Sequence, residues 1–242
     1  MTIANTSAGF APAKDFAVEP LLRDFRPGSR IQTNVLARGE RKLLDAICRR
    51  LPEWVTPDQL TAVGVLGAVV TAVGYAASNL NPYFLFLASL GLVVNWFGDS
   101  LDGSLARHRE AERHRYGFFV DNSMDAVSIV TICVGLGLSP YVGMPPALLC
   151  LVGYLLLGNY VFLSNHVTGA IRLSYLGCGP TELRLLFIVF NFALFLIGPV
   201  SLRVMGQVFS LHSVSVGATG VVLFGVFLVS VYRTAAELKG QD

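Results

Sequence analysis

Four aspartates stand beside long apolar runs, where an ionised carboxylate is costly unless it has a partner. Asp99 and Asp102 are three residues apart, and Asp121 and Asp125 are four residues apart. In a helix, each spacing places both carboxylates on the same face. Two such helices facing each other would bring all four carboxylates together, and oxygen ligands of this kind suit Mg²⁺ or Mn²⁺. The spacing therefore predicts a site for divalent cations between two helices.

The composition of the chain predicts a membrane protein. Hydrophobic residues make up 53% of the 242 residues and charged residues 14%, whereas about a quarter of the residues of a soluble domain are charged. Six apolar segments approach the length of about 20 residues that a membrane-spanning helix needs, and they are Leu60–Ala77, Pro82–Trp96, Phe118–Leu138, Ala147–Leu163, Leu183–Val200 and Val214–Val231. We expect an all-α integral membrane protein with six transmembrane helices, the second of which continues through Asp99–Arg107.

Lysines and arginines are distributed unequally between the two ends of these helices. With six spans, 17 of the 18 fall on the side that carries both termini, and only Arg203 falls on the other. Positive residues are enriched in cytoplasmic segments of membrane proteins. We therefore predict a multi-pass protein whose termini and aspartate-bearing helix ends lie on the cytoplasmic face.

The N-terminal region divides into two parts. Residues 1–33 contain Pro, Gly, Ser and Thr, are expected to be poorly ordered, and have no basic region followed by an apolar core, as a signal peptide would. Residues 34–54 are expected to form an amphipathic helix on the membrane surface, where basic side chains favour anionic lipid; a solvated helix packed on the protein is the alternative. Residues 55–235 then form the membrane domain, and residues 236–242 a cytoplasmic tail.

The aspartates belong to a longer pattern. The strings DSLDGSLAR, from Asp99 to Arg107, and GFFVDNSMD, from Gly117 to Asp125, fit D-x-x-D-G-x-x-A-R and G-x-x-x-D-x-x-x-D at all eight specified positions. This pattern resembles the signature of the CDP-alcohol phosphotransferases, membrane enzymes that join a CDP-activated group to an alcohol and release CMP. The segment TPDQLT, which ends at Thr61, is similar to the opening of that family's first span, although the family often has Asn in place of Asp58.

The resemblance implies a two-metal site and a base. Asp99, Asp102 and Asp121 would bind two Mg²⁺ or Mn²⁺ ions, and Asp125 would serve the second ion and take the proton of the acceptor hydroxyl. Metal pairs of this kind stabilise the charge of a phosphate group during its transfer. The resemblance also implies six transmembrane helices after an interfacial helix, and a homodimer.

The same resemblance implies contacts to the CDP donor. Gly103 and Gly117 would allow the nucleotide to approach the helix backbone, Ala106 would leave space, and Arg107 would bind phosphate oxygens. Thr61 would join them from the first span. Taken singly, each glycine could instead be a packing residue, and Arg107 could be an anchor at the membrane surface.

The acceptor alcohol stays open. Arg172 and Arg184 lie on the predicted cytoplasmic face between the fourth and fifth spans and could bind a phosphorylated acceptor, such as glycerol phosphate or inositol phosphate. Alternatively, they anchor helix ends, and Thr181 caps the fifth span. The lipid could be the donor, as CDP-diacylglycerol, which we favour, or the acceptor, as diacylglycerol with CDP-choline or CDP-ethanolamine.

Two other classes of protein fit part of the pattern. A cation or proton-coupled transporter with six spans could also hold buried carboxylates, but transporters usually bind ions near the middle of the membrane and contain internal repeats. A catalytically silent membrane scaffold would not need all four aspartates. We therefore expect a transferase of phospholipid synthesis with no nucleic-acid partner, whose substrates are a CDP-linked donor, an alcohol acceptor and membrane lipid.

Overall fold

The computed structural model describes residues 37–168, 180–204 and 207–240. Within these ranges the chain forms seven helices and a short hairpin, in the order α1 Ala37–Cys48, α2 Pro57–Ala77, α3 Phe84–His108, α4 His114–Gly137, α5 Met144–Thr168, α6 Pro180–Ile197, β1 Ser201–Val204, β2 Gln207–Ser210 and α7 Leu211–Lys239. Each of the six apolar segments predicted from the sequence lies mostly within one of the helices from α2 to α7. The predicted residues 1–33 lie outside the described ranges.

Five helices are long and apolar enough to cross a membrane, and they are α2, α3, α4, the Met144–Asn165 part of α5, and α7. The protein is therefore an integral, multi-pass membrane protein. The apolar part of α6, Arg184–Ile197, is shorter than the others, so a sixth span stays a prediction. As expected, α3 continues beyond its apolar part, through both of its aspartates to His108.

Helix α1 packs on the membrane domain with one face. Leu44 and Cys48 are buried, and they form a cluster with Leu60 of α2 and with Leu101 and Leu105 of α3. Leu43, on the same helix, is 50% exposed. The helix therefore contacts the protein, as the alternative interpretation held, and its position on a membrane surface stays a prediction.

Helices α2 and α3 approach each other closely through small residues. A Cβ atom added at Gly98 of α3 would lie 2.5 Å from the carbonyl oxygen of Leu60 and 2.6 Å from the Cα atom of Gly64. A Cβ atom added at Gly67 of α2 would lie 2.8 Å from the Cα atom of Asn95. Small residues let helix backbones pack tightly in a membrane, where there is little hydrophobic force between helices. This contact holds α2 against the aspartate-bearing part of α3.

The ends of these helices are held by hydrogen bonds to backbone groups. Thr56 and Gln59 form a capping box at the start of α2, with Pro57 in its first turn, which satisfies backbone N–H groups that the helix leaves unpaired. Just after α3, Arg109 donates to the carbonyl oxygens of Pro52 at 2.8 Å and of Val55 at 2.5 Å. The link between α1 and α2 is thereby attached to the end of α3.

A buried polar network connects three helices in the other half of the bundle. The hydroxyl of Tyr75 in α2 donates to Asn191 Oδ1 in α6 at 2.8 Å, and Asn191 Nδ2 donates to Ser89 Oγ in α3 at 3.1 Å. Tyr75 and Asn191 are almost completely buried. Because a buried polar group without a partner is costly, these bonds specify how α6 sits against α2 and α3.

The hairpin between α6 and α7 is a departure from the all-α prediction. Strands β1 and β2 pair antiparallel, with Ser201 opposite Ser210. The backbone N–H of Ser213 donates to Ser210 Oγ at the start of α7, and the Ser210 hydroxyl donates to the carbonyl oxygen of Tyr141. At the other end, α7 continues to Lys239, so residues 236–239 of the predicted tail are helical.

Candidate metal centre and active site

Three of the four aspartates come together at one end of the bundle. Helices α3 and α4 both pack against α2, which places Asp99 of α3 near Asp121 and Asp125 of α4. One carboxylate oxygen from each of these residues lies within 4.8 Å of the other two. The three side chains are partly exposed, so the cluster is open to a ligand from outside the protein.

Asp102 makes different contacts. Its Oδ2 atom accepts a hydrogen bond from the Thr61 hydroxyl at 2.6 Å, and its Oδ1 atom accepts one from the backbone N–H of Gly103 at 2.5 Å. It is buried and is not among the three residues whose oxygens converge. Its part in metal binding therefore stays a prediction, whereas its contact with Thr61 attaches α3 to α2 beside the site.

Arg184, at the start of α6, reaches into the aspartate cluster. Its Nη2 atom lies 2.8 Å from Asp99 Oδ2 and 3.9 Å from Asp125 Oδ1. Its Nε atom donates to Asn95 Oδ1 at 2.9 Å. Its Nη1 atom is buried and has no hydrogen-bond partner within the described part of the chain. The guanidinium group is thus held on one side and has an unused N–H group on the other.

A small cleft opens at this cluster. Its walls come from three helices, α2, α3 and α4. The lining residues are Thr61, Gly64, Val65, Asn95, Asp99, Asp121, Met124, Asp125 and Ser128. The aspartates are therefore part of a concave surface, as is usual for a site that binds a small molecule.

The donor set fits a hard divalent cation. The cluster offers only carboxylate oxygens, the ligands that Mg²⁺ and Mn²⁺ prefer. Three carboxylates carry three negative charges when ionised, and the guanidinium of Arg184 supplies one positive charge. An added divalent cation would compensate the remaining charge, so the residues present fit the metal that the sequence predicts.

The residues predicted to contact the CDP donor surround this end of α3 and α4. Thr61 lines the cleft, whereas Arg107 is exposed and donates to Ser104 of its own helix at 3.2 Å. Ala106 is half-buried. A Cβ atom added at Gly117 would have no neighbour within 4 Å among the described residues, and one added at Gly103 would meet only the Arg107 guanidinium, at 3.4 Å or more. Open space at Gly117, and only the end of a flexible side chain near Gly103, are compatible with a bound nucleotide.

Of the two arginines predicted to bind the acceptor, Arg172 lies outside the described residues. Thr181 does not precede its helix as a capping residue would, because α6 already begins at Pro180. Its hydroxyl instead donates to Glu40 Oε1 of α1 at 2.9 Å. Contrary to the alternative interpretation, Thr181 therefore does not cap α6.

Sequence reasoning missed two residues at this end of the bundle, Asn95 and Glu40. Asn95 donates through Nδ2 to the carbonyl oxygen of Gly64 at 2.9 Å while it accepts from Arg184. A signal was present, because Asn95 is a polar residue in an apolar run, one turn before Asp99. Glu40 is an acid within a basic helix, and only the three-dimensional structure identifies its partners.

Comparison with known proteins agrees with this site. A model of the family described as CDP-alcohol phosphatidyltransferase matches residues 54–233. This range includes both halves of the aspartate pattern, the whole of helices α2 to α6, and α7 as far as residue 233.

Individual relatives cover shorter parts of the chain. Cholinephosphotransferase 1 of Danio rerio is 28% identical over 153 residues, which is 59% of this chain and 39% of that protein. Archaetidylinositol phosphate synthase of Pyrococcus horikoshii is 32% identical over 99 residues, or 41% of this chain and 50% of that protein. The same-named protein of Methanothermobacter thermautotrophicus is 30% identical over 133 residues, which is 55% of this chain and 58% of that protein. The chain thus matches between 39% and 58% of the length of these relatives.

Proposed function

Because the chain belongs to the CDP-alcohol phosphatidyltransferase family, we propose that it transfers a phosphate-bearing group from a CDP-activated donor to the hydroxyl of an alcohol. CMP is the second product, and the reaction serves phospholipid synthesis. The observation that carries this proposal is the convergence of Asp99, Asp121 and Asp125 in a cleft at one end of a membrane-embedded helix bundle. A transporter would not require the family's complete pattern of eight residues.

Two divalent cations, Mg²⁺ or Mn²⁺, belong to this proposal. Asp99, Asp121 and Asp125 would hold them, with Asp102 contributing after a change in its contact with Thr61 or through its remaining lone pairs. When bound, the cations would neutralise the pyrophosphate of the CDP donor, which the carboxylates alone would repel. The protein's own contribution is to hold these carboxylates at fixed positions on helices that pack closely together.

Asp125 is the proposed base. Its side chain is 42% exposed, compared with 20% for Asp99, so an acceptor hydroxyl can approach it. The hydroxyl proton goes to Asp125 as the hydroxyl oxygen forms a bond with the phosphorus of the transferred group. The bond between that phosphorus and the CMP oxygen breaks, and CMP leaves with the bonding electrons.

Arg184 is the proposed contact for an acceptor phosphate. Its buried Nη1 atom has no hydrogen-bond partner within the described part of the chain and lies on the guanidinium that contacts Asp125. A phosphate oxygen would give that N–H group a charge-assisted hydrogen bond. The hydroxyl of the same acceptor molecule would then lie near the base, Asp125. Arg172 stays a second candidate, as the sequence predicts.

We favour CDP-diacylglycerol as the donor, which makes the acceptor a polar alcohol. The unpaired N–H of Arg184 supports this choice, because diacylglycerol offers no phosphate. The name of the archaeal relatives, archaetidylinositol phosphate synthase, refers to an inositol phosphate product, which agrees with this choice. The name of the Danio rerio relative supports the other possibility, transfer of phosphocholine from CDP-choline.

The site is proposed to face the cytoplasm, by the distribution of lysine and arginine. Its neighbours in the membrane are lipids, and a homodimer is expected from the family. Arg184, one of the 17 positive residues assigned to the aspartate side, lies at the same end of the bundle as Asp99, as that assignment requires.

The experiment that tests the function measures CMP release by the purified protein in lipid nanodiscs with Mg²⁺. One reaction contains CDP-diacylglycerol with a mixture of glycerol phosphate, inositol phosphate, inositol and serine, and the other contains diacylglycerol with CDP-choline and CDP-ethanolamine. Removing one acceptor or donor at a time then identifies the substrate. We expect activity in the first mixture, and Asp125→Asn serves as the inactive control. Failure of both mixtures to release CMP would contradict the proposal.

A further inference from the structure

Glu40 of α1 accepts hydrogen bonds from two other helices. Its Oε1 atom accepts from Trp96 Nε1 of α3 at 2.9 Å, from the Ser100 hydroxyl of α3 at 3.3 Å, and from the Thr181 hydroxyl of α6 at 2.9 Å. Glu40 is half-buried. Neither Glu40 nor any of its three partners occupies one of the eight specified positions of the aspartate pattern, although Ser100 lies between two of them.

The partners of Glu40 are neighbours of the residues that hold Arg184. On α3, Trp96 directly follows Asn95, and Ser100 directly follows Asp99. Both Asn95 and Asp99 bind the Arg184 guanidinium. Helices α3 and α6 are therefore connected twice at the same level, once through Arg184 and once through Glu40.

The second connection reaches the first turn of the helix that carries Arg184. Thr181 lies three residues before Arg184 on α6, which is about one helical turn. A hydrogen bond at Thr181 therefore limits both rotation and fraying of the segment from which the Arg184 side chain extends. Without it, the first turn would depend on the backbone bonds of a helix end, which fray readily, and on the bonds of Arg184 itself to α3.

We propose that Glu40 is a positioning residue that sets the place of Arg184 in the active site by holding the first turn of α6 against α3. The inference rests on the proposed function, in which Arg184 binds the acceptor. This role does not require Glu40 to contact the substrate. It acts through Thr181 on one side and through Trp96 and Ser100 on the other.

A merely structural role for Glu40 has a different consequence. If Glu40 only attached α1 to the bundle, its loss would lower thermal stability and leave the Michaelis constants of the remaining folded protein unchanged. A positioning role instead predicts a selective change, in which the constant for the acceptor rises and the constant for the CDP donor does not. This difference separates the two roles.

The kinetic test uses matched variants at both ends of one hydrogen bond. Thr181→Val removes the hydroxyl with little change in shape, and Thr181→Ser retains it. We expect Thr181→Val and Glu40→Ala to raise the Michaelis constant of the acceptor about tenfold, as for the loss of one charge-assisted hydrogen bond. In Thr181→Ser and Glu40→Gln, this constant should stay near the wild-type value. Asp45→Ala, an exposed acid on the same helix, is the control. An equal rise in the constants for acceptor and CDP donor would overturn the proposal.

A double variant tests whether the effect passes through Arg184. In an Arg184→Ala background, Glu40→Ala should change the acceptor constant by no more than about twofold, which is the scatter of independent effects. An additive tenfold effect in that background would contradict a role through Arg184.

A measurement without substrates separates this inference from the proposed function. Hydrogen exchange of residues 181–188 should be faster in Glu40→Ala and Thr181→Val than in the wild type, and unchanged in Asp45→Ala. If the wild type released no CMP with any substrate, the proposed function would fail while this measurement still tested the coupling. Exchange in Glu40→Ala equal to that in Asp45→Ala would show that Glu40 does not hold α6.

Discussion

Arg184 Nε donates to Asn95 Oδ1 at 2.9 Å, so an amide in an apolar helix orients the guanidinium that faces the aspartates. Asn95 is itself attached to α2, because its Nδ2 atom donates to the carbonyl oxygen of Gly64 at 2.9 Å. The direction of the Arg184 side chain is therefore determined by α2 and α3 together. With both Nε and Nη2 engaged, Nη1 is the group that remains for a ligand.

Substitution of Arg184 is expected to affect the acceptor most. For a phosphorylated acceptor, Arg184→Ala should raise its Michaelis constant by roughly 10- to 100-fold, because a charge-assisted hydrogen bond is lost. Arg184→Lys retains the charge but not the planar guanidinium, so its acceptor Michaelis constant should lie between those of the wild type and Arg184→Ala. Steady-state kinetics with acceptor and CDP donor varied separately would measure this, and the exposed Arg233→Ala is the control. A flat acceptor constant in Arg184→Ala would indicate a neutral acceptor.

Removal of divalent cations is expected to abolish turnover. Excess EDTA should stop CMP release, and added Mg²⁺ or Mn²⁺ should restore it, because the carboxylates would otherwise repel a pyrophosphate. Mg²⁺ should also raise the thermal unfolding temperature of the wild type, since a ligand that binds only the folded state stabilises it. That shift should be smaller in Asp99→Asn. Full activity in excess EDTA would contradict the proposal that the reaction needs divalent cations.

The aspartates are expected to differ in their kinetic roles. Asp99→Asn and Asp121→Asn should weaken metal binding, affinity for the CDP donor and rate together. Asp125→Asn should reduce kcat by about 10²–10⁴-fold, the usual contribution of a general base, with a smaller effect on affinity for the CDP donor. Near-normal kcat in Asp125→Asn would show that another group takes the proton.

The orientation of the protein can be tested by labelling single cysteines. In a variant without the four native cysteines, Glu110→Cys in the α3–α4 link and Leu80→Cys in the α2–α3 link both place an exposed thiol at a helix end. In sealed right-side-out vesicles, an impermeant thiol reagent should label position 80 and leave position 110 unlabelled. The reverse pattern would place the aspartates outside the cytoplasm.

The close contact of α2 and α3 should tolerate no added methyl group at Gly98. Gly98→Ala would place a Cβ atom 2.5 Å from the carbonyl oxygen of Leu60 and should cost about 1–3 kcal/mol through overpacking. Thermal unfolding in detergent would measure the loss. Gly225→Ala in α7 is the matched control, because its Cβ atom would have no neighbour within 4 Å among the described residues. Equal melting temperatures for the two variants would argue against a tight contact at this position.

Local sequence patterns predicted the helices and most of the acidic site. The apolar runs marked α2 to α7, and the spacings of three and four residues placed each pair of aspartates on one helix face. The convergence of Asp99 with Asp121 and Asp125 agrees with those spacings but also requires that α3 and α4 pack against α2. Asp102 did not join them because Thr61, on a different helix, donates to its carboxylate, and spacing along α3 carries no information about that neighbour.

Contacts between distant segments were beyond the reach of those patterns. Glu40 and Thr181 are separated by 141 positions, and only the packing of α1 and α6 on α3 brings them together. The hairpin of β1 and β2 was missed for a different reason. Each strand has only four residues, too few for an alternating pattern to stand out beside a long apolar run.

Arg184 and Asn191 are seven residues apart on α6, or about 10.5 Å along the helix axis, and both are bonded to α3. Sliding α6 by one turn, or rotating it, would break both attachments and leave polar groups unpaired in an apolar setting. This helix therefore has one register and one rotational setting against its neighbour. A displacement of α6 that keeps the Asn191 bond to α3 is therefore a tilt about that point and not a slide along the helix axis.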